Sequence, residues 1–291
     1  MKALFLGGDK RQLEIIKKLI EKELVIDLVG YDLINIDGTT NKDINNLDIS
    51  QYDFIFFPVN GVKDNFSISC TYGIKDILLN ANLLNECKDK VKIFTGIKTE
   101  NLNKILDSAN KKCIALMDDP DIKKENSIPT VEGIIGDLIY NTEYTINGSN
   151  IFVLGYGNIG KPLVESLLHL KANVTVGIIK QEEFIELVKN QIPCIFTNNH
   201  DIMQSTMQDS DIIINTVPEL IINREYLEKL NKSNIYILDI SSHPHGVDFK
   251  SANELHLKNK LLLGIPGEVA PKTAGNILAK KINKIIKEDI E

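Results

Sequence analysis

Ile151-Phe152-Val153-Leu154-Gly155-Tyr156-Gly157-Asn158-Ile159-Gly160 decides the fold. Its first four residues are apolar, the pattern of a strand buried on both faces. Gly155, Gly157 and Gly160 follow at the spacing G-x-G-x-x-G. Ile159, Leu163, Val164, Leu167 and Leu168 then recur at helical spacing, with Pro162 in the first turn, where its missing N–H does no harm. The three glycines have distinct expected duties. Gly155 permits the tight turn out of the strand, Gly157 lets a pyrophosphate approach the backbone, and Gly160 lets helix and strand pack closely. The helix start offers free N–H groups and a partial positive charge to phosphates. A further strand is expected at 173–179, so the stretch predicts a dinucleotide site over Gly155, Tyr156, Gly157, Asn158, Ile159 and Gly160.

Working outward, the N-terminus repeats this plan in part. An apolar run at 2–6 leads into Gly7-Gly8-Asp9-Lys10-Arg11-Gln12 and a helix carrying Leu13, Ile16, Leu19 and Ile20 on one face. Strands are expected at 24–30, 52–59, 91–95 and 113–117, with a helix at 102–109. Residues 118–126 read as a polar loop, and Pro129 as the opening of a helix reaching about residue 144. Beyond the glycine loop, a helix is expected at 182–189 and another around Met203 and Met207. Strands are expected at 194–197, 211–215, 235–240 and 261–264, and an amphipathic helix at 273–290. The expected fold is α/β, two doubly wound Rossmann-like domains with a crevice between them. Residues 1–128 form a substrate domain joined by the C-terminal helix 273–291. Residues 129–272 form an NAD(P)-binding domain led by a connecting helix at 129–145.

Composition narrows the function. The 291 residues are 43% hydrophobic and 25% charged, as in a globular chain with two cores. A net charge of -7 argues against nucleic acid as a partner. No apolar run reaches the roughly 18 residues that span a bilayer, and residues 1–9 read as a first strand rather than a signal peptide. The expectation is a cytoplasmic protein. Cys70, Cys87, Cys113 and Cys194 form no metal-ligand spacing, so no metal is expected.

The candidate site residues lie at expected strand ends. Lys180, where NAD enzymes place a carboxylate, suits a 2′-phosphate and so NADP over NAD. Asn215, Thr216, Val217 and Pro218 end the fourth strand of the second domain and should line the nicotinamide side, with Ser241 nearby. The next strand exits into Ser241-Ser242-His243-Pro244-His245, where His243 is the candidate base. Asp9, Lys10 and Arg11 stand at a helix start suited to anions, and Lys272 opens the last helix. Arg11 suits a planar carboxylate fork.

Gly-Gly-Asp-Lys-Arg-Gln at 7–12, Asn-Ser-Ile-Pro-Thr-Val-Glu-Gly at 126–133, the glycine loop, and Gly-Ile-Pro-Gly-Glu-Val-Ala-Pro-Lys-Thr-Ala-Gly at 264–275 resemble the dipicolinate synthase A-subunit family over nearly the whole chain. The resemblance implies NADP-dependent oxidation of dihydrodipicolinate, or its hydrated precursor from the lysine pathway, to dipicolinic acid during sporulation. It implies a small dicarboxylate substrate held by Asp9, Lys10, Arg11, Lys272, Ser127 and Thr130. It also implies a partner, the B subunit of dipicolinate synthase, and a setting in the mother cell of a sporulating bacterium. Two alternatives stay open: an NAD(P)-dependent dehydrogenase of a small 2-hydroxy or 2-amino acid, and a non-catalytic nucleotide-sensing Rossmann protein. The sequence leaves a homo-oligomer open as well.

Overall fold

Two units organise the chain, Met1–Asn126 with Pro266–Glu291, and Ser127–Ile265. The computed structural model describes residues 1–230 and 235–288. In the first unit, Lys2–Leu6 (β1), Val25–Val29 (β2), Thr39–Asn41 (β3) and Phe54–Phe56 (β4) come first. A hairpin follows, Ser67–Ile68 (β5) against Ile77–Leu78 (β6), and then Lys92–Thr95 (β7) and Cys113–Ala115 (β8). The main sheet runs β3-β2-β1-β4-β7-β8, every pair parallel. Helices Lys10–Ile20 (α1) and Glu100–Ser108 (α2) pack on it through their apolar residues. Phe5 lies opposite Phe56, and Phe56 opposite Phe94, so their rings stack across three strands at 4.3 and 4.8 Å. Each such pair adds about 0.5–1.5 kcal/mol beyond the area it buries. Strand β3 and the hairpin are not among the sequence expectations. Thr39-Thr40-Asn41 is a polar edge strand, and each hairpin strand has two residues, too few for an alternation to register.

The region 118–141 corrects an expectation. It is not a loop followed by a helix opened at Pro129; a helix runs unbroken over Pro120–Asn141 (α3), with Pro129 inside it. Asp119 caps the start, its carboxylate accepting from the N–H groups of Asp121 at 3.0 Å and Ile122 at 3.2 Å. Pro120 sits in the first turn, where a proline is tolerated. Pro129 removes one backbone bond, and flanking turns packed through Ile122, Val131, Ile134 and Leu138 hold the helix across it. The division between the two units falls within this helix.

The second unit contains Asn150–Leu154 (β9), Gly160–His169 (α4), Asn173–Ile178 (β10), Gln181–Lys189 (α5), Cys194–Phe196 (β11) and His200–Asp209 (α6). Ile212–Asn215 (β12), Arg224–Glu228 (α7), Tyr236–Asp239 (β13), Phe249–Glu254 (α8) and Lys258–Leu261 (β14) complete its sheet. The order β11-β10-β9-β12-β13-β14 is the same permutation as in the first unit, again parallel. Both units are therefore doubly wound, as the alternating pattern predicts. The sixth strand ends at Leu261 instead of beginning there. Lys258-Asn259-Lys260 hides it, because an edge strand need not be apolar throughout. From α3, the buried Asp137 accepts the Tyr236 hydroxyl at 2.7 Å and pairs with the Lys260 ammonium, which fixes the helix to β13 and β14. Burial, and then the hydrogen bond to Asp137, hold the Tyr236 hydroxyl pKa well above its ordinary value.

The chain continues through Ile265–Val269 (α9) to Pro271–Lys287 (α10). Ala274, Leu278, Ala279, Ile282 and Ile286 join the core of the first unit beside Ile15, Ile16 and Leu19 of α1. A Cβ on Gly275 would stand 2.6 Å from the Arg11 carbonyl oxygen, so only glycine allows this approach of α10 to α1. Residues 289–291, expected at the end of this helix, lie outside the described residues.

Candidate functional site

In a doubly wound sheet, ligands lie beyond the carboxyl ends of the strands where the strand order reverses. In the second unit that point is between β9 and β12. A cavity of about 340 Å³ opens there. Leu154 to Ile159 form its floor, Ile179, Lys180, Glu183 and Thr197 one wall, and Thr216, Val217, Pro218 and Ile221 the other.

The three glycines of the loop meet three different surroundings. Gly155 has φ +95°, and a Cβ there would lie 2.3 Å from the Thr216 hydroxyl. A Cβ on Gly160 would lie 2.2 Å from the Gly155 carbonyl oxygen, so α4 packs directly on the turn. A Cβ on Gly157 would meet nothing within 4 Å; it would project into open space. The loop is thus closed on the protein side and bare on the side where α4 begins, the shape a pyrophosphate requires. Thr216 fastens the opposite rim by donating its hydroxyl and its N–H to the Leu154 carbonyl, at 2.8 and 2.9 Å. These residues fit a dinucleotide.

Not every expected residue lines the cavity. Asn215 and Ser241 are buried beneath it. The Asn215 amide donates to Val217 O and to Asp239 Oδ1, both at 2.9 Å, and its oxygen accepts from the Val217 N–H at 3.2 Å. Asp239 is fully buried and accepts four N–H bonds: from Ser241 N and Asn215 on Oδ1, and from Gly246 N at 2.7 Å and Val247 N at 3.2 Å on Oδ2. One carboxylate therefore shapes the whole 240–247 loop and, through Asn215, the Val217 rim. Sequence reasoning missed this role of Asp239; its signal was an acid ending an otherwise apolar strand. His243 is exposed and meets His245 edge-on, with ring centres 5.7 Å apart. His245 is the better fixed of the two, its Nδ1 2.8 Å from the Ser241 carbonyl oxygen.

In the first unit, the equivalent point of the sheet lies between β1 and β4. Its glycine turn has no room for a nucleotide. Gly8 N–H donates to Ser69 O at 2.7 Å, Thr71 N–H donates to Gly8 O at 3.0 Å, and a Cβ on Gly7 would clash with Ser69 and Cys70. The segment around Cys70 fills the place that stays open over Gly157. Arg11 departs from the expected free fork. It is buried, and its Nε and Nη2 already hold the Asp9 carboxylate, with Nη2 at 2.5 Å. Nη2 also donates to Asn60 Oδ1 at 2.8 Å, and Gly267 packs on the guanidinium. Arg11 thus ties the turns after β1 and β4 to α9. Asn60, on the turn after β4, was not legible as its partner. Lys10 and Lys272 are exposed, and Ser127 and Thr130 are buried on α3 in the second unit. Arg11→Ala leaves Asp9 without its cation. It is expected to cost about 2 kcal/mol, less than a fully buried pair, because the stranded Asp9 side chain is 26% exposed and solvent screens it. Calorimetric unfolding checks this, and nucleotide affinity of the surviving folded fraction should be unchanged.

Two larger cavities lie elsewhere. One of about 500 Å³ borders Asn150 and Asn173, at the starting ends of β9 and β10, opposite the glycine loop. The other, of about 940 Å³, borders Asp32, Lys42 and Asp76 in the first unit. Neither lies at a switch point. Burial pushes the Cys70 and Cys87 thiols up to about 11, which leaves them unreactive at neutral pH.

Known proteins share this fold. A family model described as the N-terminal domain of the dipicolinate synthase A subunit matches residues 2–117. A Bacillus subtilis protein named as the A subunit of dipicolinate synthase is 36% identical over 290 residues, covering 99% of this chain and 96% of its own. The crystal structure of the dipicolinate synthase A subunit from Bacillus halodurans superposes with a TM-score of 0.92 at 32% identity, covering 98% of this chain and 97% of its own. A transhydrogenase from Sinorhizobium meliloti shares the fold at 13% identity, with a TM-score of 0.70, covering 99% of this chain and 94% of its own.

Proposed function

The chain belongs to the dipicolinate synthase A-subunit family, and from that premise we propose that it oxidises a dihydropyridine dicarboxylate to dipicolinate with NADP. The observation that carries the nucleotide part is the bare face of Gly157 between two glycines that are sterically forced. The pyrophosphate would lie on Gly155 to Ile159 at the start of α4, and the nicotinamide end near Thr216, Val217 and Pro218. Lys180, in the cavity wall, supports NADP by offering a cation to a 2′-phosphate. When bound, the nicotinamide ring supplies the two-electron acceptor for a hydride from a ring carbon.

The protein's share of the reaction is small. Loss of one hydride and one proton makes the substrate aromatic, and that gain drives the reaction. The chain need mainly hold the ring in place, which can lower a barrier by several kcal/mol. Lys10 and Lys272 are the exposed cations proposed to attract the carboxylates. Arg11 and Asp9 fix the turn beside Lys10. The departing proton goes to water or to a histidine of the 243–245 loop. A partner, the enzyme's B subunit, completes the proposal, with a role in sporulation in the cytoplasm.

The test generates the lysine-pathway intermediate in situ and adds NADP, this chain and the B subunit. Dipicolinate is followed by its ultraviolet absorption. A rate well above spontaneous oxidation is expected, and a rate equal to it with both proteins folded overturns the reaction.

A further inference from the structure

The wall of the nucleotide cavity carries a carboxylate as well as the expected lysine. Glu183 stands on the first turn of α5 and is half-buried, whereas Lys180 is exposed. Both line the cavity with Ile179 and Thr197, at the carboxyl end of β10, where the adenosine ribose of a dinucleotide lies. Glu183 is also held in place. Its Oε2 accepts the Lys180 N–H at 3.4 Å, and a carboxylate on the first turn is favoured by the helix dipole. The Lys180 ammonium ends a flexible stem.

Resting on the proposed nucleotide site, we infer that Glu183 sets its choice between the two dinucleotides. Its carboxylate accepts a hydrogen bond from a free ribose 2′-hydroxyl, which favours NAD. Against a 2′-phosphate it is a like charge at close range, a repulsive element of the kind that specificity uses. Lys180 acts in the opposite sense. The pair therefore makes the site accept both nucleotides, with NADP held below the affinity that Lys180 alone would give. Glu182, the neighbouring acid, is exposed and lies outside the cavity wall, so it takes no part.

The experiment is titration calorimetry of NAD and of NADP into the full chain and three variants. Glu183→Gln keeps an oxygen to accept the Lys180 N–H, so the start of α5 survives, and circular dichroism checks the fold. It should raise the ratio of NADP to NAD affinity about tenfold, the effect of removing one like charge near the phosphate. Lys180→Ala should lower that ratio by a similar factor. Glu182→Gln, which makes the same change in net charge outside the cavity, should leave the ratio within twofold. If Glu183→Gln leaves the ratio unchanged while both nucleotides bind, the inference falls and the nucleotide site stands. An equal shift from Glu182→Gln reduces the effect to overall charge and overturns it too. If the unaltered chain binds neither nucleotide, the site and the inference fall together.

Discussion

Gly157→Val should give a folded chain that no longer binds a dinucleotide. A Cβ at 157 has nothing within 4 Å, so the side chain would start into open space. Stability should therefore change by less than about 1 kcal/mol, as for surface substitutions free of special features. The same open space is where the pyrophosphate must approach the backbone, and two methyl groups would hold it away from the N–H groups at the start of α4. Loss of that contact is expected to weaken binding by at least about 100-fold, near 2.7 kcal/mol. Calorimetry measures the affinity, and thermal unfolding checks the fold. Gly160→Val supplies the contrast. Its Cβ would stand 2.2 Å from a backbone oxygen, so the loop itself must move and stability should fall with binding. If Gly157→Val binds as tightly as the unaltered chain, the glycine loop is not the phosphate site.

Much of this was legible in the sequence, for reasons that differ by residue. Central strands announce themselves because both faces are buried: residues 151–154 and 212–215 are apolar or fully enclosed. The glycine loop is readable because each glycine answers a backbone requirement that no other residue meets. Edge strands are harder. Thr39–Asn41 and Lys258–Leu261 each have one free side, so polar residues are tolerated and the pattern fades. Pro129 misled because proline usually opens a helix, whereas here packing on both sides carries the helix through it. The site divides in the same way. Gly155, Thr216 and Val217 follow from position along the chain. Arg11's attachment to Asp9 and Asn60 does not, because Asn60 arrives from a strand 49 residues away in sequence. Arg11 looks like a free cation until the turn after β1 folds the Asp9 carboxylate onto it.

Asp239→Ala should be the most damaging single change to the second unit. The carboxylate is fully buried and accepts from Ser241 N, Gly246 N, Val247 N and the Asn215 amide. Truncation strands all four donors in a region closed to water. Each stranded donor costs about 1–3 kcal/mol before relaxation, and the losses are not additive. A net cost of about 4 kcal/mol is expected, which lowers Tm by roughly 10 °C for a unit of this size. Repacking cannot easily recover it, since a Cβ on Gly246 would already lie 2.1 Å from the Asn215 nitrogen, and the loop has little freedom to close inward. Asp239→Asn tests the cause. It keeps the volume but turns one acceptor into an NH2 group facing N–H donors, so about half of the loss should remain, on the order of 2 kcal/mol. Function should change with stability here, unlike at Gly157. Asn215 holds Val217 at the cavity rim, so either variant should weaken nucleotide binding even at a temperature where it is folded. Calorimetric unfolding and nucleotide titration, run on the same samples, separate the two effects. An Asp239→Asn chain with unchanged Tm would mean that the carboxylate does not organise the loop.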